Sequence, residues 1–195
     1  MREELVPDAM VESIPYRSLT MIRDHLRDIP AFPLPEGYGL RTFRPGDERA
    51  WARIECRVEE FATEAEALQR FAAFFRNDVA ALATRCFFLT DAKGEPIGTA
   101  SAWWGELDGE PRGEVSWVGI VPAHQGKGLA KPLLSAVLHR LAQDHERAYL
   151  GTQTISYRAV DLYLNYGFVP YLRGPRDEEG WRIIEALLDR KVLAP

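Results

Sequence analysis

Four residues, Gln125-Gly126-Lys127-Gly128, stand between a run composed like a strand and a run spaced like a helix. Val115 to Val121 is β-branched, aromatic and apolar, and Pro122 stops it, which reads as a buried strand. Leu129, Leu133, Leu134, Val137, Leu138 and Leu141 fall on one face of a helix, with Lys131, Ser135, Arg140 and Gln143 on the other. A strand, a glycine turn and a helix aim backbone N–H groups and the positive end of the helix at an anion, most often a phosphate. A Walker loop would need Ser or Thr after Gly126-Lys127, where Gly128 stands, and the dinucleotide fingerprint would need a glycine at Lys131.

Gln125 to Ala130 fits a third pattern, R/Q-x-x-G-x-G/A, and here the chain resembles the GNAT superfamily of N-acetyltransferases. In that family the turn grips the pyrophosphate of coenzyme A. A second match lies downstream in A-V-D-L-Y-L-N-Y-G-F, where Ala159, Tyr163, Gly167 and Phe168 keep the family's order and spacing. The resemblance covers roughly residues 38 to 172. It implies acetyl-CoA as cosubstrate, no metal, and direct transfer to a primary amine in a ternary complex. Gln125, Gly126, Lys127, Gly128, Leu129, Ala130 and Lys131 would hold the pyrophosphate. The backbone of Val118, Gly119 and Ile120 would pair with the pantetheine arm and stabilise the oxyanion. Ser156 stands seven residues before Tyr163, where many members carry Asn, and would still donate to the cofactor with a shorter reach. Pro132 is tolerable only in the first turn of its helix.

Acetyl transfer to an amine sets three demands. An ammonium of pKa ~10.4 held neutral at pH 7 costs about 4.6 kcal/mol. The carbonyl oxygen needs a donor as it gains charge, and the leaving thiolate needs a proton or a donor. Glu114, eleven residues before Gln125, matches the glutamate base of the histone-acetylating branch and is the candidate base. A solvated strand-edge glutamate, with a water chain as base, is the competing reading. Tyr163 is the candidate acid, against a plain aromatic on a packed helix face, and Tyr166 is its internal control. Glycine inside a strand weakens it, so Gly119 marks an expected bulge that frees backbone N–H groups.

These residues need elements to position them. Residues 1–37 read as an N-terminal extension, with a short helix through Leu19, Ile22, Leu26 and Ile29 and a linker broken by Pro30, Pro33 and Pro35. Residues 38–195 read as the acetyltransferase-like domain. Tyr38 to Arg44 is a strand, and Asp47 can cap a helix from Glu48 to about Glu60. Thr63-Glu64-Ala65-Glu66 is a capping box opening a helix through Phe75. Cys86–Thr90 and Pro96–Trp104 are strands around the turn Asp91–Gly94, and a loop from Glu106 to Gly113 leads back to Glu114. A strand from Ala148, a helix ending before Gly167, a strand from Phe168, and a last helix around Trp181 (or a strand there) complete the chain. The expected class is α/β of the α+β type: a mixed, mostly antiparallel sheet flanked by helices, with a parallel strand pair after the glycine turn. By resemblance, Glu59, Glu60, Phe71 and Phe75 are candidates for acceptor contact. Trp103, Trp104 and Trp117, with Glu106, Asp108 and Glu110, could make an aromatic and acidic mouth for a cationic amine.

A net charge of −5 argues against a nucleic-acid partner. The two cysteines form no metal spacing and read as free thiols of a cytoplasmic protein, and the four histidines are scattered. No run reaches the ~20 apolar residues of a membrane span. The acceptor, small molecule or protein, and a homodimer stay open. The rival from another class is a non-catalytic acyl-CoA-binding sensor on the same scaffold.

Overall fold

The computed structural model describes residues 14–76 and 78–193, so the first thirteen residues of the expected extension lie outside the described residues. In chain order the elements are β1 (Ser18–Arg23), β2 (Gly39–Thr42), α1 (Glu48–Arg57), α2 (Glu64–Phe75), α3 (Val79–Arg85), β3 (Cys86–Thr90), β4 (Pro96–Leu107), β5 (Glu110–Ile120), α4 (Ala130–Leu141), β6 (Ala148–Gln153), α5 (Tyr157–Asn165), β7 (Val169–Tyr171) and α6 (Pro175–Leu188). This is the expected mixed, mostly antiparallel sheet flanked by helices. The described residues form two compact units: those within 25–148, and those within 14–24 with 149–193.

The first unit is built on the antiparallel meander β2–β3–β4–β5. Asp91 closes the β3–β4 turn, its Oδ1 accepting from the N–H groups of Lys93 and Glu95 at 2.9 and 3.0 Å. The β4–β5 hairpin is longer than the sequence suggests. Asp108 and Gly109 both take positive φ, 53° and 80°, and such a two-residue turn matches strand twist. Leu107 therefore pairs with Glu110, and the expected loop of residues 106–113 is mostly ladder.

Helices cover both faces of this meander. On one face Leu129, Leu133, Leu134, Val137, Leu138 and Leu141 of α4 are all buried, as their spacing requires. On the other, Trp51 of α1 meets Phe71 and Phe75 of α2, with ring centroids 5.2 and 6.0 Å apart. The capping box of α2 is formed in both directions between Thr63 and Glu66. Thr63→Ala is expected to cost about 1 kcal/mol in a urea melt, the usual worth of such a cap. Asp47 does not cap α1 by its side chain. It instead takes both guanidinium nitrogens of Arg41, at 2.5 and 2.8 Å, and the Arg44 N–H. Burial alone would raise its carboxyl, but these donors outweigh burial and hold it below the usual range. The short helix α3 has no counterpart in the sequence reading. Asp78 caps it at the Ala81 N–H, and its Arg85 is buried, donating to the Ala102 carbonyl and lying over Trp104.

In the second unit, β1 stands where a helix was expected. Leu19, Met21 and Arg23 alternate into the interior, and β7 pairs with β1 from Thr20↔Tyr171 to Ile22↔Val169. The inward arginine is satisfied there, donating to the Tyr166 carbonyl at 2.5 Å. Helix α6 approaches β1 so closely that a Cβ on Gly180 would lie 2.8 Å from Leu19. It is the expected last helix, anchored by fully buried Trp181 and Ile184.

Candidate functional site

The glycine turn has the form its sequence predicts. Gly126 and Gly128 take φ of 72° and 76°, a region side chains avoid, while a Cβ built on either would meet nothing within 4 Å. Backbone conformation, not crowding, therefore selects glycine, and open space lies over the turn. The side chain of Gln125 turns back to donate to the Ile120 carbonyl at 2.7 Å, tying the turn to the end of β5. Lys127 donates to the Ala123 carbonyl, and Lys131 lies over the Phe32 ring at 5.3 Å. Leu129 is buried and seats the turn, and Ala130 and Lys131 open α4. Pro132 is the third residue of α4, where its missing N–H breaks no helical bond.

The strand that feeds the turn carries a bulge two residues before the expected position. Thr99 pairs with Gly119 and Ser101 with Ser116, so Trp117 and Val118 together oppose Ala100. Trp117 takes φ of 54° at the bulge. Gly119 is itself paired, and its lack of a side chain has a packing cause: a Cβ there would lie 3.2 Å from Val58, the C-cap residue that ends α1. The extra residue also resets which side chains face which layer, because strand side chains alternate with a period of two. Glu114 (opposite Trp103), Ser116 and Gly119 consequently share the face covered by α1 and α2. Glu114 is half-buried there. Val118 and Ile120 are also half-buried.

The expected acceptor contacts fare differently. Phe71 and Phe75 are core residues, while Glu59 and Glu60 are exposed beyond the end of α1. Trp103 packs against Phe74 and Phe75, whereas Trp104 lies over the Arg85 guanidinium. Trp103 also meets Trp104, with ring centroids 5.1 Å apart, Phe74 packs on Trp117 as well as Trp103, and the chain's own Arg70 stands over Trp117 at 5.5 Å.

One residue of this face escaped the sequence reading. Glu55 on α1 is 2% exposed, and its Oε1 has no hydrogen-bond partner among the described residues. A Cβ on Gly119 would lie 3.6 Å from that oxygen. Burial, with a smaller contribution from the charge of Glu60, pushes the carboxyl up to about 8. The signal was present in the sequence. Trp51, Ile54, Glu55 and Val58 form one helical stripe, and a carboxylate on an apolar stripe needs a reason. Ser116 Oγ and Trp117 Nε1, on the same strand, are likewise buried without partners among the described residues. Beside α1 a cavity of about 230 Å³ is lined by Arg53, Ile54, Cys56, Arg57, Glu64, Pro96 and Val121, and Glu55 does not reach it. Both cysteines are free; burial pushes the Cys86 thiol up to about 12.

Tyr163 and Ser156 belong to the second unit. Tyr163 is 5% exposed on α5, edge-on to Phe168 with centroids 6.1 Å apart, and burial raises its phenol. Gly167 ends the helix at φ 79°, as its position predicts. Ser156 is half-buried at the N-terminus of α5 and caps no backbone N–H with its side chain. Among the described residues there is no group of three or more His, Cys, Asp or Glu that could hold a metal, and no helix long and apolar enough to cross a membrane.

A model of the acetyltransferase (GNAT) family matches residues 48–168. Two mycothiol acetyltransferases are similar over most of this chain. That of Streptomyces griseus subsp. griseus is 33% identical over 161 residues, covering 80% of this chain and 52% of the relative. That of Thermomonospora curvata is 35% identical over 164 residues, with the same two shares. The chain thus spans about half the length of these relatives. Among solved structures, a GCN5-related N-acetyltransferase from Sphaerobacter thermophilus has the same fold, with a TM-score of 0.59 and 22% identity over 84% of this chain and 52% of that one.

Proposed function

Because the chain belongs to the acetyltransferase (GNAT) family, we propose that it transfers an acetyl group from acetyl-CoA to a primary amine by direct attack in a ternary complex. The observation that carries this reading is the glycine turn. Two left-handed glycines with open space above them lead into the N-terminus of a 12-residue helix. Backbone N–H groups and a helix end of that form suit a pyrophosphate. In this reading Gln125–Lys131 would take the pyrophosphate of coenzyme A and the β5 segment Val118–Ile120 the pantetheine arm and thioester oxygen, and the family resemblance gives Ser156 a further contact. When bound, acetyl-CoA supplies the activated acyl group.

The chain's own residues then supply acid and base. Tyr163, buried and fully protonated, donates toward the leaving sulfur. Glu114, half-buried on the α1-facing side of β5, is the first candidate for the amine's proton. The relatives' name makes the acetylation step of mycothiol the acceptor chemistry to try first.

A thermal melt with acetyl-CoA, against ADP as control, tests the reading. Ligand at ~100 times its dissociation constant stabilises by about 2.7 kcal/mol, which is roughly 5–10 °C for a chain of this size. The shift is expected to disappear in Gly128→Val, whose backbone cannot hold the turn without strain. A wild-type protein that does not shift at millimolar acetyl-CoA removes the enzyme reading.

A further inference from the structure

Glu114 is not the only carboxylate on the face of β5 that α1 covers. By register it lies beside Trp103, four residues along β4 from the Thr99–Gly119 pair. Glu55 lies at that pair. Its Oε1 is buried with no hydrogen-bond partner among the described residues, and a Cβ built on Gly119 would lie 3.6 Å from it. A buried carboxylate with no donor is costly, and nothing in the packing of α1 calls for it. Resting on the acetyltransferase reading, we propose that Glu55 takes the proton of the acceptor's ammonium on the α1-facing side of β5, beside Gly119.

The step balances. R–NH3⁺ gives one proton to the Glu55 carboxylate, and the freed amine attacks the thioester carbon. The C–S bond breaks, the thiolate takes the second proton lost by nitrogen, and Glu55 returns its own to water. The products are the amide, free thiol and one released proton. Burial makes Glu55 a better base than an ordinary carboxylate. Transfer from an ammonium of pKa ~10.4 to a carboxylate of ordinary basicity is unfavourable by about a million-fold, but by only a few hundred-fold to one near 8.

Charged and titratable groups on the surrounding elements include Glu48, Arg49, Arg53, Cys56 and Arg57 on α1, Glu59 and Glu60 after it, Glu64, Glu66 and Arg70 on α2, Cys86 on β3, and Glu110, Arg112 and Glu114 on β5. Glu60 adds its like charge to the effect of burial on Glu55.

The test measures thiol release from acetyl-CoA with glucosamine, spermidine and a lysine-containing peptide, and follows kcat/KM of the best of these from pH 6 to 10. For the wild type, kcat/KM is expected to climb through about pH 8 as Glu55 ionises. Glu55→Gln is expected to lower it about 100-fold at pH 8 and to erase that climb, with acetyl-CoA affinity unchanged. A Glu55→Gln enzyme that keeps both rate and climb overturns the proposal, as does a climb lost only in Glu114→Gln. A wild type that binds acetyl-CoA yet releases no thiol with any of the three overturns the acetyltransferase reading itself, and this proposal with it.

Discussion

Glu55→Gln is expected to be more stable than the wild type at pH 9 and almost equal to it at pH 5. The carboxyl stands at about 8 in the folded protein against an ordinary 4.5. Below 4.5 it is protonated in both folded and unfolded chains and has no effect on the difference. Between 4.5 and 8 the unfolded chain releases the proton and the folded chain keeps it, so stability falls as pH rises. Above 8 both forms are ionised and the loss levels off. The interval corresponds to about 5 kcal/mol, of which roughly 4 falls between pH 5 and pH 9. Glutamine keeps the shape and removes the titration, so the gap between the two proteins isolates this one group from every other that titrates. Urea melts of both at pH 5, 7 and 9 read it directly. A gap that does not change with pH would mean that Glu55 is ionised throughout, which requires a partner for its Oε1.

The same residue shows where sequence reading stops. The glycine turn, α4 and the end of α5 were legible because each rests on local chemistry. Positive φ at Gly126, Gly128 and Gly167 and the leucine stripe of α4 need no distant partner to be recognised. The capping box at Thr63 is local in the same way. What failed depends on partners far along the chain. Leu19, Ile22 and Leu26 fit a helix as well as Leu19, Met21 and Arg23 fit a strand, and the pairing with β7, some 150 residues later, decides for the strand. The bulge was expected at Gly119 because glycine is the visible anomaly. It falls at Trp117–Val118, where a tryptophan accepts a left-handed conformation while packing 5.1 Å from Trp51. Glu55 was passed over for a related reason: its place on an apolar stripe is legible, but the depth at which that stripe is buried depends on the packing of distant elements.

Tyr163→Phe is expected to lower kcat by about 10²–10⁴-fold while leaving the acetyl-CoA-induced thermal shift in place. Phenylalanine keeps the ring against Phe168 and removes only the hydroxyl, so the fold has little to lose. The phenol is raised by burial, so it remains protonated at every pH at which the enzyme would be assayed. It is therefore available as a donor to the leaving sulfur, and it should produce no descending limb below pH ~10, the ordinary tyrosine value. Full transfer to a thiolate of ordinary pKa ~8.5 is uphill for such a phenol, so its main contribution is a hydrogen bond that strengthens as charge builds on sulfur. Tyr166→Phe is the control. Tyr166 is also buried, three residues on in the chain, and it is expected to leave turnover within a few-fold. Equal losses in both variants would assign the effect to packing around α5. An unchanged kcat in Tyr163→Phe would leave protonation of the thiolate to water. A chain that binds acetyl-CoA, with both variants silent and no thiol released by the wild type, would be a binding module on the scaffold of an enzyme.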